Sequence, residues 1–419
     1  MRITVKKSEV KGLTPAPSSK SYTIRALMCA ALAGGSSRIL QPLQSDDTEA
    51  ALRVLDQIGV KTQILPEKWV VQGGHFVAPA RDLYCSDSAA TLRFMSAICA
   101  KVPGRCRLTA GPSLSKRPVD TLVLALNRWG IGASCRDKTA PVMITGGQFQ
   151  GGTTQVKGDI SSQYISALLF IAPFAEKGAS IWLTTPLESR SYVLMTLECL
   201  KNFGISVTHS NELMEFEIGS QTYQPADYRV EGDWSSVSYL MGLGAVAGES
   251  RVSNLNPRSL QGDKMIMDLL TQMGAEVASS NGLVTVAQSK LKAIKADLND
   301  CIDLLPTMAV LAALAEGVSE FSGIERARLK ESNRIAAVRE GLARAGIQVS
   351  EETDKLVITG GKPVKTVIDS KNDHRIAMAF SLMGAAVGDI TIEGAECVSK
   401  TYPEYWQTIH KLGVKIDEQ

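Results

Sequence analysis

The chain has 419 residues, of which 44% are hydrophobic, 5% aromatic and 21% charged, and its formal net charge is +2. A chain of this length suggests two or three domains with aliphatic cores. The near-zero charge argues against a general role in binding nucleic acids or membrane surfaces, so any anion binding must come from local clusters of cations.

The eight cysteines are scattered along the chain, with no C-x-x-C pair and no metal-binding spacing. Several stand among apolar residues, where a buried free thiol is the usual state. This usage fits a reducing cytoplasm. The sequence shows no signal peptide, transit peptide or apolar stretch of about 18 residues or more. We therefore expect a cytoplasmic protein that binds no metal and no membrane.

Taken in chain order, the predicted elements repeat six times. Each copy contains a helix end, a glycine and an alternating strand, and the copies follow one another about 70 residues apart. The six segments are LDQIGVKT, LNRWGIGA, LKNFGISV, LTQMGAEV, LARAGIQV and IHKLGVKI. Glycine suits the position just after a helix, because the backbone there adopts a left-handed conformation.

A second series of segments, rich in small residues, runs in step with the first. Examples are ALMCAALAGGSSRI and AMAFSLMGAAVGDITI, whose Ala and Gly content indicates helices packed deep inside a domain. Each unit is thus predicted to hold a strand, a buried helix, a strand, an amphipathic helix and further strands. Units of this length favour closed domains over a solenoid, whose repeats usually have about 20–50 residues.

Six units suit two domains of three units each. One boundary is predicted at Pro15–Pro17, where proline interrupts regular structure. The other is predicted near Val230–Asp233, where the fourth unit begins. One domain then comprises residues 1–17 and 231–419, and the other comprises residues 18–230.

Cations stand at several predicted helix starts. Lys20 opens the first buried helix, and the other starts with a cation include those near Arg117, Lys330, Arg375 and Lys400. A helix N-terminus carries about half a positive charge, so a cation there costs about 0.3–1 kcal/mol. A bound anion would neutralise the cation and accept bonds from the free N–H groups. We therefore interpret these starts as anion-binding sites rather than as ordinary capped helices.

Helical spacing relates two pairs of these polar residues. Ser21 and Arg25 lie four residues apart, as do Lys330 and Arg334. Residues with this spacing share a face of a helix. If the repeats in each domain are related by symmetry, their helix starts point to one end and gather the cations for a small, multiply anionic substrate.

Asp303 and Glu331 are the candidate acid–base residues. A carboxylate that lies among cations and is partly desolvated can transfer protons. The plainer alternative makes Asp303 an N-cap and Glu331 an ordinary first-turn glutamate. Of the four histidines, only His374 lies inside a motif.

Nine segments together resemble the enolpyruvyl transferase family. They are SSKSYTIRAL, SDSAATLRF, SKRPVDTL, GDISSQYISALL, ESRSYVLMTL, CIDLLPTMA, RLKESNRIAA, NDHRIAMAF and SKTYPEYW. Each is weak alone, but nine in family order along the whole chain are specific. The resemblance implies an α/β fold with two similar domains, each of three βαβαββ-type units in an inside-out α/β barrel. It also implies a two-crossing hinge and an active site in the cleft between the domains.

The resemblance, which is strongest to the branch acting on shikimate 3-phosphate, implies one reaction and a set of site residues. The enolpyruvyl group of phosphoenolpyruvate passes to the 5-hydroxyl of shikimate 3-phosphate, and phosphate is released. The residues implied for shikimate 3-phosphate are Lys20, Ser21, Arg25, Ser161, Ser162, Gln163, Ser189, Asp303 and Lys330. Those implied for phosphoenolpyruvate are Lys20, Ala89, Arg117, Gln163, Arg334, Arg375 and Lys400.

The resemblance also implies catalytic roles for three residues and a simple set of partners. Asp303 would accept the proton of the 5-hydroxyl, while Lys20 and Glu331 would handle proton transfer at the methylene carbon. No metal or organic cofactor is implied. We expect a monomer whose partners are the two small-molecule substrates, with no nucleic acid and no membrane.

Three alternatives remain at this stage. The related transferase acting on UDP-N-acetylglucosamine commonly has a reactive cysteine where this chain has Pro112, and Lys-Asn where it has Lys20-Ser21. A more remote fold relative acts on RNA phosphate ends, against which the net charge weighs. A non-catalytic binding protein of this fold is expected to have lost some of the acidic or basic residues, yet Asp303, Glu331 and Arg375 are present.

The segment SDSAATLRF departs from the family pattern, which reads Asn-x-Gly-Thr before its arginine. Asp87 replaces the asparagine, and Ala89 replaces a glycine that lies beside the phosphoenolpyruvate pocket in the family. A methyl group there shortens the space for a ligand. We predict reduced sensitivity to glyphosate, which is longer than phosphoenolpyruvate, with substrate binding largely kept. Asp87 could pair with a nearby cation or tune closure.

Overall fold

The computed structural model describes residues 1–147 and 149–419. Contacts divide the chain into two compact units. Met1–Pro17 and Glu231–Gln419 form the first, which we call the discontinuous unit, and Ser18–Val230 form the second, which we call the continuous unit. Each unit is built around its own hydrophobic core.

The described residues form twelve α-helices and twenty-four strands. The helices are α1 Lys20–Leu32, α2 Asp46–Gln57, α3 Ala89–Ile98, α4 Asp120–Arg128, α5 Ser162–Ile171, α6 Arg190–Asn202, α7 Trp234–Ala247, α8 Ile266–Gln272, α9 Leu305–Leu314, α10 Arg334–Arg344, α11 His374–Val387 and α12 Tyr405–Lys411. None of them is long and apolar enough to span a bilayer.

The strands are short, with two to seven residues each. They are β1 Arg2–Val5, β2 Val10–Pro15, β3 Gly35–Leu40, β4 Lys61–Leu65, β5 Lys68–Gly73, β6 Leu83–Tyr84, β7 Arg105–Thr109, β8 Gly132–Arg136, β9 Thr139–Thr145, β10 Gly152–Val156, β11 Ala179–Leu183, β12 Thr208–His209, β13 Glu215–Ile218, β14 Asp227–Arg229, β15 Gly248–Ser253, β16 Glu276–Ser280, β17 Leu283–Ala287, β18 Lys295–Asp297, β19 Val318–Ser322, β20 Gln348–Glu351, β21 Lys355–Thr359, β22 Thr366–Asp369, β23 Ile390–Glu393 and β24 Ile416–Glu418.

Three buried helices form the centre of each unit. In the continuous unit α3 packs on α1 and α5, and in the discontinuous unit α11 packs on α7 and α9. These helices are apolar on nearly every side, a pattern that is stable only when the helix is enclosed. Small residues allow close packing: a Cβ atom at Gly244 of α7 would lie 2.5 Å from the Val286 carbonyl oxygen in β17. The predicted buried helices are therefore confirmed.

Each unit carries three four-stranded sheets that share one strand order. The sheets of the continuous unit are β14-β3-β5-β4, β6-β7-β9-β8 and β10-β11-β13-β12. Those of the discontinuous unit are β2-β15-β17-β16, β18-β19-β21-β20 and β22-β23-β1-β24. The first two strands of each order run parallel and the rest antiparallel. A buried helix connects the parallel pair in β6-α3-β7, as the predicted βαβαββ unit requires.

The glycines that mark the repeat lie two residues after the ends of the amphipathic helices. Their φ angles lie between 78° and 99°, in the region where only glycine is unstrained. They are Gly59, Gly130, Gly204, Gly274, Gly346 and Gly413. A left-handed residue at this position turns the chain from the helix into the next strand, so the predicted helix ends are confirmed.

Several polar residues lie before a helix rather than in its first turn. Helix α10 begins at Arg334, because the Asn333 side chain accepts a hydrogen bond from the Ala336 N–H and caps it there. Lys330 and Glu331 precede this cap. The prediction that Lys330 and Arg334 share a helix face is therefore wrong, and so is the alternative of a first-turn role for Glu331.

Other predicted helix starts are shifted in the same way. Arg117 and Lys400 each lie at or just after a short 3-10 turn, ahead of α4 and α12. Asp303 lies within the 3-10 turn Asn299–Leu304, and Leu304 is the N-cap of α9, so Asp303 is not a helix cap. In contrast, Lys20 is the first residue of α1, as predicted.

Candidate active site

The start of α1 carries Lys20, which contacts a carboxylate on α2. The Lys20 Nζ atom lies 3.0 Å from Oδ2 of Asp47. Ser19 caps the helix, since its Oγ accepts a hydrogen bond from the Tyr22 N–H at 3.4 Å. The cap and the ion pair hold Lys20 in place, while its ammonium stays partly accessible.

Arg25 is buried one turn further along α1, with 2% of its surface exposed. Its guanidinium donates to Thr196 Oγ1 at 2.8 Å and to the carbonyl oxygens of Ser21 at 3.0 Å and Tyr192 at 3.1 Å. It also lies 5.5 Å from the centre of the Phe94 ring. All these partners are neutral, and burial lowers the pKa of Arg25. A buried cation among neutral groups is suited to an anionic ligand.

Arg93 of α3 contacts two predicted site residues, although the sequence did not predict a role for Arg93 itself. Its Nη1 atom donates to Ser161 Oγ at 3.2 Å and to Gln163 Oε1 at 2.8 Å. Its guanidinium lies 5.1 Å from the centre of the Tyr164 ring. Arg93 thereby links α3 to the start of α5. Its place at the end of the segment SDSAATLRF was the one signal in the sequence.

Serines occupy the starts of α5 and α6, where the family resemblance predicted part of the shikimate 3-phosphate site. Ser161 caps α5, and its Oγ accepts a hydrogen bond from the Gln163 N–H at 3.4 Å. Ser162, the first residue of α5, is buried. Ser189, the N-cap residue of α6, has φ 53°, which is uncommon for a residue other than glycine. Such strained backbone often marks functional sites.

Asp87 anchors the loop that leads to Arg117. Its Oδ1 atom accepts hydrogen bonds from the backbone N–H groups of Ser113 at 3.0 Å and Leu114 at 2.9 Å. A Cβ atom at Gly111 would lie 2.7 Å from this carboxylate, so glycine allows the loop to approach. Two residues further on, Ala89 begins α3. This anchoring role of Asp87 was not predicted from the sequence.

Arg334 lies at the centre of a cluster of charged residues in the discontinuous unit. It is 1% exposed. Its guanidinium contacts Asp303 Oδ1 at 2.6 Å, Glu331 Oε2 at 2.5 Å and Asp373 Oδ2 at 2.8 Å. Burial lowers the pKa of Arg334, but these three carboxylates together raise it by more. Arg334 therefore stays charged and fixes three acids around itself.

Asp303 is shared by several cations. Lys330 Nζ lies 3.4 Å from its Oδ1 atom, and Arg375 Nη2 lies 3.2 Å from its Oδ2 atom. Burial raises the pKa of Asp303, but Arg375, Lys330 and Arg334 outweigh burial and hold the pKa well below its usual value. For Lys330, burial disfavours the charged ammonium and lowers its pKa to about 8, although Asp303 opposes this shift. Asp303 is thus a carboxylate across the neutral pH range.

The remaining predicted residue of this unit, Lys400, lies at the edge of the cluster. Its Nζ atom is 3.9 Å from Glu331 Oε1. His374 is buried, with Nδ1 3.9 Å from Asp373 Oδ1. The structure therefore brings six predicted residues together: Asp303, Lys330, Glu331, Arg334, Arg375 and Lys400. Within the described residues, no group of three His, Cys, Asp or Glu side chains is placed to hold a metal ion.

The chain matches one family of known proteins over nearly its whole length. The family model described as EPSP synthase (3-phosphoshikimate 1-carboxyvinyltransferase) matches residues 5–409. A 3-phosphoshikimate 1-carboxyvinyltransferase of Dehalococcoides mccartyi is 49% identical over 418 residues, covering 99% of each chain. The enzyme of that name from Methanothermobacter thermautotrophicus is 39% identical over 423 residues, covering 100% of each chain.

Solved structures agree with this match. The EPSP synthase of Acinetobacter baumannii superposes with a TM-score of 0.85 at 26% identity and covers 100% of each chain. The enolpyruvyl transferase NikO of Streptomyces tendae has a TM-score of 0.79 at 18% identity, covering 100% of this chain and 98% of that one, which indicates a shared fold. These comparisons confirm the predicted fold class and the resemblance, and the chain belongs to the EPSP synthase family.

Proposed function

We propose that this protein transfers the enolpyruvyl group of phosphoenolpyruvate to the 5-hydroxyl of shikimate 3-phosphate and releases phosphate. The observation that carries the proposal is the cluster around Asp303, which lies within contact distance of Lys330, Arg334 and Arg375. It occurs in a chain whose relatives are named 3-phosphoshikimate 1-carboxyvinyltransferase. The cluster supplies both a base and the cations that this reaction needs.

Both substrates carry a phosphate and a carboxylate, and buried arginines suit such groups. Arg25, held by neutral partners, can accept an anion without giving up an ion pair. Arginine binds carboxylate and phosphate through two parallel hydrogen bonds, whereas lysine provides a point charge. We assign shikimate 3-phosphate to the set that includes Ser21, Arg25 and Ser162, and phosphoenolpyruvate to the set that includes Arg117 and Arg375.

The cations around Asp303 explain how a carboxylate with a low pKa in the free protein can still act as a base during the reaction. In the free protein three cations keep its pKa well below the usual value, against the effect of burial. Anionic substrate groups bound to these cations reduce their hold on Asp303, so its proton affinity rises when the substrates bind. Asp303 then accepts the proton of the 5-hydroxyl as that oxygen attacks C2 of phosphoenolpyruvate.

The second half of the reaction moves protons at the methylene carbon. Lys20 or Glu331 delivers a proton to C3 as the C2–O bond forms, giving a tetrahedral intermediate. Removal of a proton from C3 then restores the double bond as the C2–O bond to phosphate breaks. Arg334 and Lys400, which both lie near Glu331, stabilise the charge on the leaving phosphate.

The test is an assay of phosphate release by the purified chain. We expect release only when phosphoenolpyruvate and shikimate 3-phosphate are both present, with a product carrying the enolpyruvyl ether at the 5-oxygen by NMR. Release with UDP-N-acetylglucosamine as the acceptor would support the other transferase. Release with neither acceptor would support a non-catalytic binding protein. We further expect activity to survive treatment with a chelator, and the active species to be a monomer by size-exclusion chromatography.

The methyl group of Ala89 supports a second proposal, that glyphosate inhibits this enzyme weakly. Ala89 is the first residue of α3 and is 6% exposed. Ala89→Gly should lower the glyphosate inhibition constant while leaving KM for phosphoenolpyruvate nearly unchanged. Ala90→Gly is the matched control, because it also removes a methyl group from the first turn of α3. Tight inhibition that Ala89→Gly does not change would refute this proposal.

A further inference from the structure

A buried carboxylate outside the assigned site residues, Asp263, lies on the 3-10 turn Gly262–Met265 and is 3% exposed. The Ser235 hydroxyl donates a hydrogen bond to its Oδ2 atom. The preceding residue, Gln261, fixes the turn: its Oε1 accepts from the Trp234 N–H at 3.1 Å, and its Nε2 donates to the Gly232 carbonyl at 2.8 Å. Asp263 therefore has a fixed place at the start of α7.

This turn packs against the turn Asn299–Leu304, which carries Asp303. Burial and the negative charge of Asp303 raise the pKa of Asp263 to about 7, although Arg375 opposes this. Asp263 thus ionises near neutral pH, where Asp303 is already a carboxylate. The titratable and charged groups on the elements around it are Asp233, Lys264, Asp268, Asp300, Cys301, Asp303 and Arg375.

We propose that Asp263 is a positioning residue for Asp303 that acts through its own protonation. In the neutral form it leaves Arg375 to Asp303 and to the anionic substrates. In the ionised form it adds a negative charge beside them and weakens substrate binding. Its proton exchanges with solvent and is not passed to a substrate. This inference rests on the proposed function, because the affected quantity is the affinity for anionic substrates.

The test is KM for phosphoenolpyruvate as a function of pH for wild type, Asp263→Asn and Asp268→Asn. Asp268 lies on the neighbouring α8 and is exposed, which makes it a matched control. Substrate titration affects all three proteins equally, so it cancels in a ratio. We expect KM of wild type divided by KM of D263N to rise about threefold to tenfold between pH 6 and pH 8. We expect D268N to follow wild type.

A second variant keeps the carboxylate and so avoids dependence on the folding of D263N. The Ser235 hydrogen bond lowers the pKa of Asp263. Ser235→Ala should therefore move the midpoint of the KM rise to higher pH. No shift in this midpoint would contradict the proposal.

Thermal unfolding gives a readout that does not need activity. Because Asp263 keeps its proton in the folded state up to about pH 7, but loses it near pH 4 when unfolded, its contribution to stability is lost as pH rises through this window. The Tm of wild type minus that of D263N should fall from pH 4 to pH 7. A wild-type chain that releases no phosphate refutes the proposed function. An active wild type with a pH-independent KM ratio, or with a constant Tm difference, refutes this inference alone.

Discussion

The two units hold their buried arginines in opposite ways. In the continuous unit Arg25 is surrounded by a hydroxyl, backbone carbonyls and an aromatic ring. In the discontinuous unit Arg334 contacts three carboxylates. Both arginines lose hydration on burial. Ion pairs within the protein compensate for this desolvation at Arg334, whereas the hydrogen-bond partners of Arg25 are neutral. This contrast supports the proposal that Arg25 binds an anionic ligand, whereas the charge of Arg334 influences the protonation of the neighbouring acids.

The largest effect is expected for Asp303→Ala, which removes the acid that the cations of the discontinuous unit share. Loss of a general base typically lowers turnover about 10²- to 10⁴-fold. Steady-state phosphate release measures the change. Asp300→Ala, three residues earlier on the same 3-10 turn, is the control and should remain active. If D303A keeps turnover near that of D300A, Asp303 is not the base.

The next effect concerns Lys20→Ala in the continuous unit. We expect turnover to fall about 100-fold or more, because a positioned charge that stabilises the reacting groups is lost. The fold should be kept, since Ser19 still caps α1. Circular dichroism and Tm check the fold. Lys61→Ala is the matched control, since Lys61 pairs with Asp56 at an exposed position. Substantial activity in K20A would remove Lys20 from the mechanism.

Stability should distinguish the two buried arginines directly. Arg334→Ala leaves three buried carboxylates without their shared cation, which should lower the free energy of unfolding by about 3–5 kcal/mol. Arg25→Ala removes a buried charge and leaves neutral groups behind, so we expect a loss of about 1–2 kcal/mol. Urea unfolding of both variants gives the comparison. Equal losses would show that the two environments are energetically alike.

The smallest effect concerns the pH dependence due to Lys330, whose pKa is lowered to about 8, mainly by burial. Above pH 8 its ammonium loses its charge, so KM for shikimate 3-phosphate should rise about threefold by pH 9. Lys330→Arg keeps the charge and should show no such rise. Between pH 8 and pH 10.5 the unfolded chain binds more protons than the folded one, so this group makes stability increase with pH. A flat KM profile for wild type would contradict the prediction.

Much of the fold could be predicted because the repeat is written in local sequence signals. Glycines such as Gly59 mark helix ends, since a positive φ is unstrained there only for glycine. The Ala and Gly content of the second series of segments likewise predicted buried helices, because small residues allow close packing. The start of α10 was misplaced because the capping side chain of Asn333 was one of several polar candidates within a few residues. Choosing between them requires the neighbouring structure.

The candidate site could be predicted only as far as its motif residues. The contacts between Arg93 and Gln163, and between Asp87 and Leu114, join residues that are 70 and 27 positions apart. No periodicity relates such positions, because the fold alone brings them together. The low pKa of Asp303 likewise depends on its burial and on Arg375, Lys330 and Arg334, which local sequence does not bring together.

Strand β1 pairs with β23 and β24, so Ile3 lies beside Ile392 and Glu418 in one sheet. During translation this sheet cannot close until the ribosome has released the residues of β23 and β24. Every strand of the continuous unit, including the parallel pair β3 and β14, lies within Ser18–Val230. That unit can therefore complete its sheets during synthesis, while β1 must wait for β23 and β24. A nascent chain stalled soon after Val230 should protect the continuous unit from protease and leave β1 exposed to it.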